Sequence, residues 1–141
     1  MRSLAIGLAM LALAACSPQQ SGIEVKDAWS PAAPPGAGAI AVYAQLVIHD
    51  DDTLLRVSSS QASMAEVHAT FEEGGMMRMR PVDKLDVKQG EAVSFKPGGM
   101  HLMLMGVNES PPAGAAVDVT FHFAKAGDVV ASAQVVAPGE R

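Results

Sequence analysis

From Ile23 onward, the chain consists of short apolar segments that alternate with polar residues and are interrupted repeatedly by turn residues. The 141 residues include 13 glycines and 9 prolines. No stretch keeps the 3.6-residue period of an amphipathic helix over a useful length. Alternation of apolar and polar residues is typical of strands that bury one face. The pattern therefore predicts an all-β domain.

About nine short strands are predicted, with turns between them at fairly regular spacing. They cover residues 23–30, 40–48, 54–58, 65–71, 76–82, 92–95, 101–107, 117–123 and 129–136. Val117, Val119, Phe121 and Phe123 show the clearest alternation, which predicts that all four point to one face. This number and spacing of strands is typical of a β-sandwich or barrel.

The first residues have the pattern of a targeting segment rather than of a folded element. Arg2 supplies a positive charge, and residues 4–13 form an apolar stretch that is too short to span a bilayer. The stretch ends in Leu-Ala-Ala followed by Cys16, which resembles the lipobox of bacterial lipoproteins. The alternative is an ordinary secretory signal with Cys16 as a stray thiol.

The lipobox resemblance divides the chain into three parts. Residues 1–15 are expected to be a lipoprotein signal peptide that is removed, and residues 16–22 the lipidated Cys16 and a tether. Residues 23–138 are expected to form the folded β domain. The lipid is expected to anchor the protein to a membrane facing the periplasm, with the outer membrane favoured because Ser17 does not resemble an inner-membrane retention signal.

Composition excludes several classes of function. The formal charge of -5 argues against a nucleic-acid partner, which would require a basic surface. Cys16 is the only cysteine, so an intrachain disulfide and a cysteine-based zinc cluster are both excluded. If Cys16 carries lipid, no thiol remains for nucleophilic catalysis, thiol–disulfide exchange or a thiolate copper centre.

Methionine is unusually frequent, with 9 methionines against 4 Phe, 1 Tyr and 1 Trp. In the predicted strand 101–107, alternate residues share a face, so His101, Met103 and Met105 point one way. A methionine in an apolar strand is more often core filler than ligand. That reading stays open for Met64, Met76, Met77, Met100 and Met105, although Met105 is the best placed of these to line a site.

A second pair of candidate ligands is predicted across a hairpin. If residues 72–75 form a four-residue loop, Phe71 pairs with Met76, and His68 then lies directly opposite Met79 on the same face. The two remaining histidines are interpreted differently: His49 as exposed, and His122 as a structural residue of its strand. The acidic run at residues 50–52 is interpreted as a solvated turn.

Two imidazoles and two thioethers form a neutral and soft set of four donors. Among common biological metals, thioether ligands select copper(I), and imidazole also binds it. Zinc and hard cations favour thiolate or oxygen ligands instead. The residue types therefore favour Cu(I).

The spacing H-x10-M-x21-H-x-M, formed by His68, Met79, His101 and Met103, resembles the signature of the periplasmic copper(I) chaperones called the PCu(A)C family. The flanking segments GGMMRMRPV and KPGGMHLMLMG extend the resemblance, which covers most of residues 25–137. It implies a cupredoxin-like Greek-key β domain that binds Cu(I) through these four residues. It also implies delivery of copper in the periplasm to the apo copper domain of cytochrome c oxidase or to another copper carrier.

The chain is expected to be a chaperone and not an enzyme. Three other functions are alternatives to that of a chaperone. A periplasmic copper buffer for resistance would have identical site chemistry. An electron-transfer cupredoxin would need a cysteine thiolate ligand. A hydrolase would need paired carboxylates or a general base beside the metal, and Glu66, on the face of His68, is unpaired.

Overall fold

The computed structural model describes residues 22–141. The predicted signal peptide, the lipidation at Cys16 and all of the tether except Gly22 lie outside the described residues. Residues 22–141 contain no helix, and therefore none that could cross a membrane.

The described residues form ten strands, which confirms the all-β prediction. The strands are β1 (Ile23–Pro31), β2 (Ala39–Ile48), β3 (Asp52–Ser58), β4 (Ala62–Glu73), β5 (Met76–Val82), β6 (Leu85–Val87), β7 (Ala92–Phe95), β8 (His101–Val107), β9 (Ala116–Phe123) and β10 (Gly127–Val136). The prediction missed β6 because three residues are too few to show an alternation. The predicted strand 65–71 was also too short, because β4 begins at Ala62 and ends at Glu73.

The strands are hydrogen-bonded in the order β5-β4-β8-β2-β1-β10-β9-β3-β6, and β7 pairs with β2 outside this path. β1 and β10 are parallel, and the other described pairings are antiparallel. The first half of β2 pairs with β8, and its second half pairs with β7. β2 therefore joins the β5-β4-β8 region to the rest of the sheet.

One apolar core lies on the inner face of these strands, and strict alternation supplies it. In β9, Val117, Val119, Phe121 and Phe123 are all buried, as predicted. β2 is longer and contributes Ile40, Val42, Ala44, Leu46 and Ile48. Each fully buried aliphatic or aromatic side chain contributes about 1.5–3 kcal/mol to folding relative to an exposed one. The residues between them are left for the outer face.

The turn between β4 and β5 corrects the predicted register. The loop has two residues, Gly74 and Gly75, with φ of 61° and 78°, and Glu73 pairs with Met76. Glycine adopts two successive positive φ values without strain, so the loop can be two residues long instead of the predicted four. His68 therefore lies opposite Pro81, and Met79 lies opposite Thr70.

Asp52 connects the start of β3 to the loop between β9 and β10. Its carboxylate accepts hydrogen bonds from the backbone N–H groups of Thr53 at 2.8 Å, Lys125 at 2.9 Å and Ala126 at 2.8 Å. The side chain is buried, which corrects the prediction of a fully solvated acidic turn. Desolvation alone would raise the Asp52 pKa, but these hydrogen bonds and the charge of Lys125 hold it below its usual value.

We expect Asp52→Ala to lower the free energy of unfolding by about 1.5–3 kcal/mol at pH 7, because three backbone donors lose a charged acceptor. A carboxylate with a lowered pKa stabilises the fold above the pKa of the unfolded chain, about 3.9. That contribution is lost as the pH falls through the folded-state pKa. Urea denaturation at pH 7 and at about pH 3 should therefore show the wild type and the variant converging in acid.

Asp83→Ala is the matched control, because Asp83 is an exposed aspartate. It should change the free energy of unfolding by no more than about 0.5 kcal/mol. A constant difference between the wild type and Asp52→Ala from pH 7 to pH 3 would contradict the role given to this carboxylate.

Candidate metal centre

Two histidines face each other where β4 pairs with β8. His68 and His101 are direct partners in the antiparallel register. Their ring centroids are 5.7 Å apart, with an angle of 66° between the ring planes. His101 is 7% exposed, and the His68 side chain is 16% exposed. Two imidazoles thus lie side by side in a nearly dry environment.

The turn before β8 fixes the orientation of His101. The backbone N–H of Lys96 donates to Met100 O, and that of Gly99 donates to Lys96 O, which closes the turn. This brings the Gly99 carbonyl to 3.0 Å from Nδ1 of His101. A carbonyl oxygen can only accept, so Nδ1 carries the proton and Nε2 of His101 presents its lone pair.

A carboxylate performs the same task for His68. Glu66 lies two residues earlier on the same face of β4, and its Oε2 is 2.9 Å from His68 Nε2. Because the carboxylate accepts, Nε2 donates and Nδ1 keeps its lone pair. Nδ1 of His68 is buried and has no hydrogen-bond partner. Hydrogen bonds of this kind are those that orient histidine ligands in metal sites.

Met103 and Met79 lie beside the histidine pair on the outer face. Met103 is two residues from His101 and pairs with Glu66 across β4. Met79 pairs with Thr70, which is two residues from His68, so it is a diagonal rather than a direct neighbour of His68. Met103 is half-buried, whereas Met79 is 59% exposed.

The four predicted site residues are thus brought to one face of the β5-β4-β8 strands. The face offers two imidazole lone pairs and two thioethers, with the Glu66 carboxylate beside them. Residues 22–141 contain no group of three or more His, Cys, Asp or Glu side chains that could hold a metal ion. The donors gathered here can accept a soft cation, and Glu66 offsets part of its charge.

The other two histidines lie elsewhere. His122 uses both ring nitrogens, one at 2.7 Å from Ser58 Oγ and the other at 2.6 Å from Asp128 Oδ1, so it ties three strands together. This agrees with the prediction of a structural role. His49 was predicted to be exposed, but its Nε2 is buried, at 3.8 Å from Glu24 Oε2.

Sequence reasoning missed the groups that orient the imidazoles. Glu66 was placed on the correct face but was interpreted as unpaired, and the carbonyl of Gly99 was not considered. The i, i+2 spacing of Glu66 and His68 on one strand face was the available signal. No comparable signal exists for the carbonyl, because its position depends on how the Lys96–Gly99 turn closes.

The chain is similar to proteins that are described as lipoproteins. A family model described as "Putative lipoprotein LpqE-like" matches residues 23–135. The protein "Putative lipoprotein Lxx21020" of Leifsonia xyli subsp. xyli (strain CTCB07) is 32% identical over 108 residues, which cover 74% of this chain. The chain spans 64% of the length of that relative.

Solved structures with the same fold were also found. The "Copper-bound PCuAC domain from PmoF2" superposes with a TM-score of 0.69 and 26% identity, covering 84% of this chain and 95% of that domain. The solution structure of CuI-DR1885 from Deinococcus radiodurans has a TM-score of 0.63 and 22% identity, covering 89% and 84% of the two chains. The described residues therefore have the all-β fold of PCuAC domains.

We expect the two imidazoles to show opposite tautomers in the metal-free protein under mildly alkaline conditions. The hydrogen bonds to Gly99 O and Glu66 require the Nδ1–H form of His101 and the Nε2–H form of His68. Long-range ¹H–¹⁵N correlation spectra distinguish the two forms. Glu66→Ala should release only His68 from its tautomer, while His101 serves as the internal control. Identical tautomers for both rings would refute the geometry described here.

Proposed function

The chain belongs to the LpqE-like family, and from this premise we propose that it is a carrier of one copper(I) ion. His68, Met79, His101 and Met103 are its proposed ligands. Copper binding is supported by the likeness to the PmoF2 domain, whose structure is described as copper-bound. The chain is proposed to act as a metal-binding chaperone rather than as an enzyme.

The unpartnered Nδ1 of His68 is the observation that carries the proposal. A buried nitrogen without a hydrogen-bond partner costs about 1–3 kcal/mol. The ring that carries this nitrogen lies 5.7 Å, centroid to centroid, from the imidazole of His101, whose Nε2 presents its lone pair. A metal ion between the two rings would satisfy both nitrogens at once. Glu66 and the Gly99 carbonyl accept hydrogen bonds from the other nitrogen of each ring, Nε2 of His68 and Nδ1 of His101. Supporting groups play the same part in known metal sites.

The donor types favour Cu(I) over other metals. Thioethers are soft ligands and bind Cu(I), whereas Cu(II) prefers nitrogen and oxygen donors in a tetragonal set. Zinc sites use thiolate, imidazole or carboxylate ligands in a closed tetrahedron. Met79 and Met103 would be poor ligands for either competitor, so they confer the selectivity of the site.

We further propose that the protein works in the periplasm, attached to the outer membrane through a lipid on Cys16. The LpqE-like family and the Leifsonia relative both carry the description of a lipoprotein, which supports such an anchor. Residues 1–15 would then be the removed signal, and residues 23–138 the copper-binding domain. The proposed destination of the copper is the apo copper domain of cytochrome c oxidase, which places the protein in oxidase assembly.

The exposure of Met79 favours a carrier over a buffer that only stores the metal. Met79 lies on the edge strand β5 and is 59% exposed, so an acceptor can replace this ligand first while both imidazoles still hold the ion. A store would gain from enclosing all four ligands. Fast electron transfer of the blue-copper type needs a thiolate, and the only cysteine is Cys16, outside the domain.

One equivalent of Cu(I) should bind tightly in an anaerobic competition titration against a chromophoric Cu(I) chelator, and Cu(II) should bind poorly. Met79→Leu should weaken Cu(I) binding by at least about tenfold, a loss found even for groups that only support a ligand. The matched control is Met76→Leu, because Met76 is 62% exposed on the same strand but points to the opposite face. It should stay within about twofold of the wild type. Equal losses in both variants would contradict the assignment of Met79.

Transfer tests the carrier role directly. Cu(I)-loaded protein should convert an apo oxidase copper domain to its copper form, as followed by the absorption of that domain. The rate should remain unchanged when the chelator concentration is raised, because the metal passes within a complex of the two proteins. Transfer that stops when a chelator captures released Cu(I) would instead identify a buffer.

A further inference from the structure

A second pair of methionines occupies the same outer face as the candidate metal centre. The β4–β8 register pairs Met64 directly with Met105, just as it pairs Glu66 with Met103 and His68 with His101. Direct antiparallel partners have Cβ atoms about 5 Å apart. The flexible side chains of Met64 and Met105 can therefore bring both sulfur atoms to one ion. Neither residue belongs to the four proposed copper ligands.

Core packing does not account for this pair. The residues next to Met64 and Met105 in β4 and β8 point to the inner face, and among them Leu104 is fully buried. Met64 is 54% exposed, and Met105 is half-buried. On the far side of β8, only the small residues Ala39 and Ala41 stand beside Met105 and Met103. The β2 residues directly opposite Met105 and Met103 are therefore small.

We propose that Met64 and Met105 form a second and weaker site for a soft monovalent cation, with Met103 as a donor shared with the first site. Met103 is two residues from Met105 on the same face and lies diagonally across from Met64. The identity of the cation as Cu(I) depends on the proposed function. The binding of Ag(I), which has the same preference for thioethers, does not depend on it.

The second site binds more weakly because it lacks imidazole donors. Its ligands are neutral thioethers, and the exposed Met64 admits water that competes for the ion. A weak site adjoining a tight one provides a way in or out for the metal. An ion held by Met64 and Met105 gains Met103 as its next ligand and then the imidazoles of His101 and His68, so it need not be released to water.

The test uses the lipid-anchored protein in detergent, without oxygen, titrated with Ag(I) and separately with Cu(I). The methyl resonances of the seven methionines within residues 22–141 are assigned by single Met→Leu substitutions, which preserve volume and fold. The first equivalent should shift the signals of Met79 and Met103 together with the imidazole signals of His68 and His101. Further metal should then shift the signals of Met64 and Met105.

Two variants and one control complete the design. Met64→Leu and Met105→Leu should each abolish the second binding phase and leave the first within about twofold. Met76→Leu should keep both phases, since this exposed methionine faces the other side of the hairpin. Unchanged amide spectra of the metal-free variants verify their folding.

The variant His68→Ala separates this proposal from the proposed function. It should weaken the first phase while Met64 and Met105 still respond to Ag(I), which would support the second site. Imidazole signals that never move in the wild type would refute the proposed copper ligands but not this pair. The second site is overturned if Met64 and Met105 do not respond to excess Ag(I). It is also overturned if they respond only together with His68 and His101, or if Met76→Leu loses the second phase.

Discussion

The pairing of β4 with β8 is the constraint on which the proposed metal centre depends. Val67 and Leu102 are direct partners on the inner face of these strands, and both are buried in the core. Successive side chains of a strand point to opposite faces, so burying this pair forces His68 and His101 outward together. A slip of one residue would expose Val67 and bury His68. The apolar core therefore determines the position of the imidazoles.

Hydrogen bonds then determine which nitrogens are available. Each imidazole donates a hydrogen bond through its protonated nitrogen to an acceptor that lies two residues earlier, Glu66 for His68 and the Gly99 carbonyl for His101. The lone pairs of Nδ1 of His68 and Nε2 of His101 are left without a proton. The cost of keeping a polar nitrogen buried and unpaired, about 1–3 kcal/mol, is offset by the packing beneath the same strands. The proposed metal site is therefore preorganised in the metal-free protein.

The two-residue alternation of side chains along each strand predicted more of this arrangement than the predicted register between strands did. The buried face of β9 and the shared face of His101 and Met103 need only the two-residue period, and no knowledge of neighbouring strands. The register of the β4–β5 hairpin depended on the loop length, which was predicted to be two residues too long. That error kept His68 and Met79 on one face, because an even shift preserves the face, but it lost their direct opposition.

Groups joined by contacts over long sequence distances could not be predicted in the same way. The carboxylate of Asp52 meets the N–H groups of Lys125 and Ala126 only after β3 and β9 have paired. An acidic run has no signal that distinguishes one buried member from its exposed neighbours. The three residues of β6 are likewise defined by their partner β3 and not by any pattern of their own.

The exposure of the donors falls in steps towards the histidine pair, and this gradient relates the fold to the handling of a metal. Met79 and Met64 are 59% and 54% exposed, whereas His101 is 7% exposed. Thioethers need no proton to leave before they bind, and each one binds only weakly, so an incoming donor displaces them at little cost. In the proposed site the imidazoles hold the ion more strongly, and they lie where water has little access. An arrangement with the weakest donors outermost allows exchange of ligands one at a time, which a fully enclosed site would prevent.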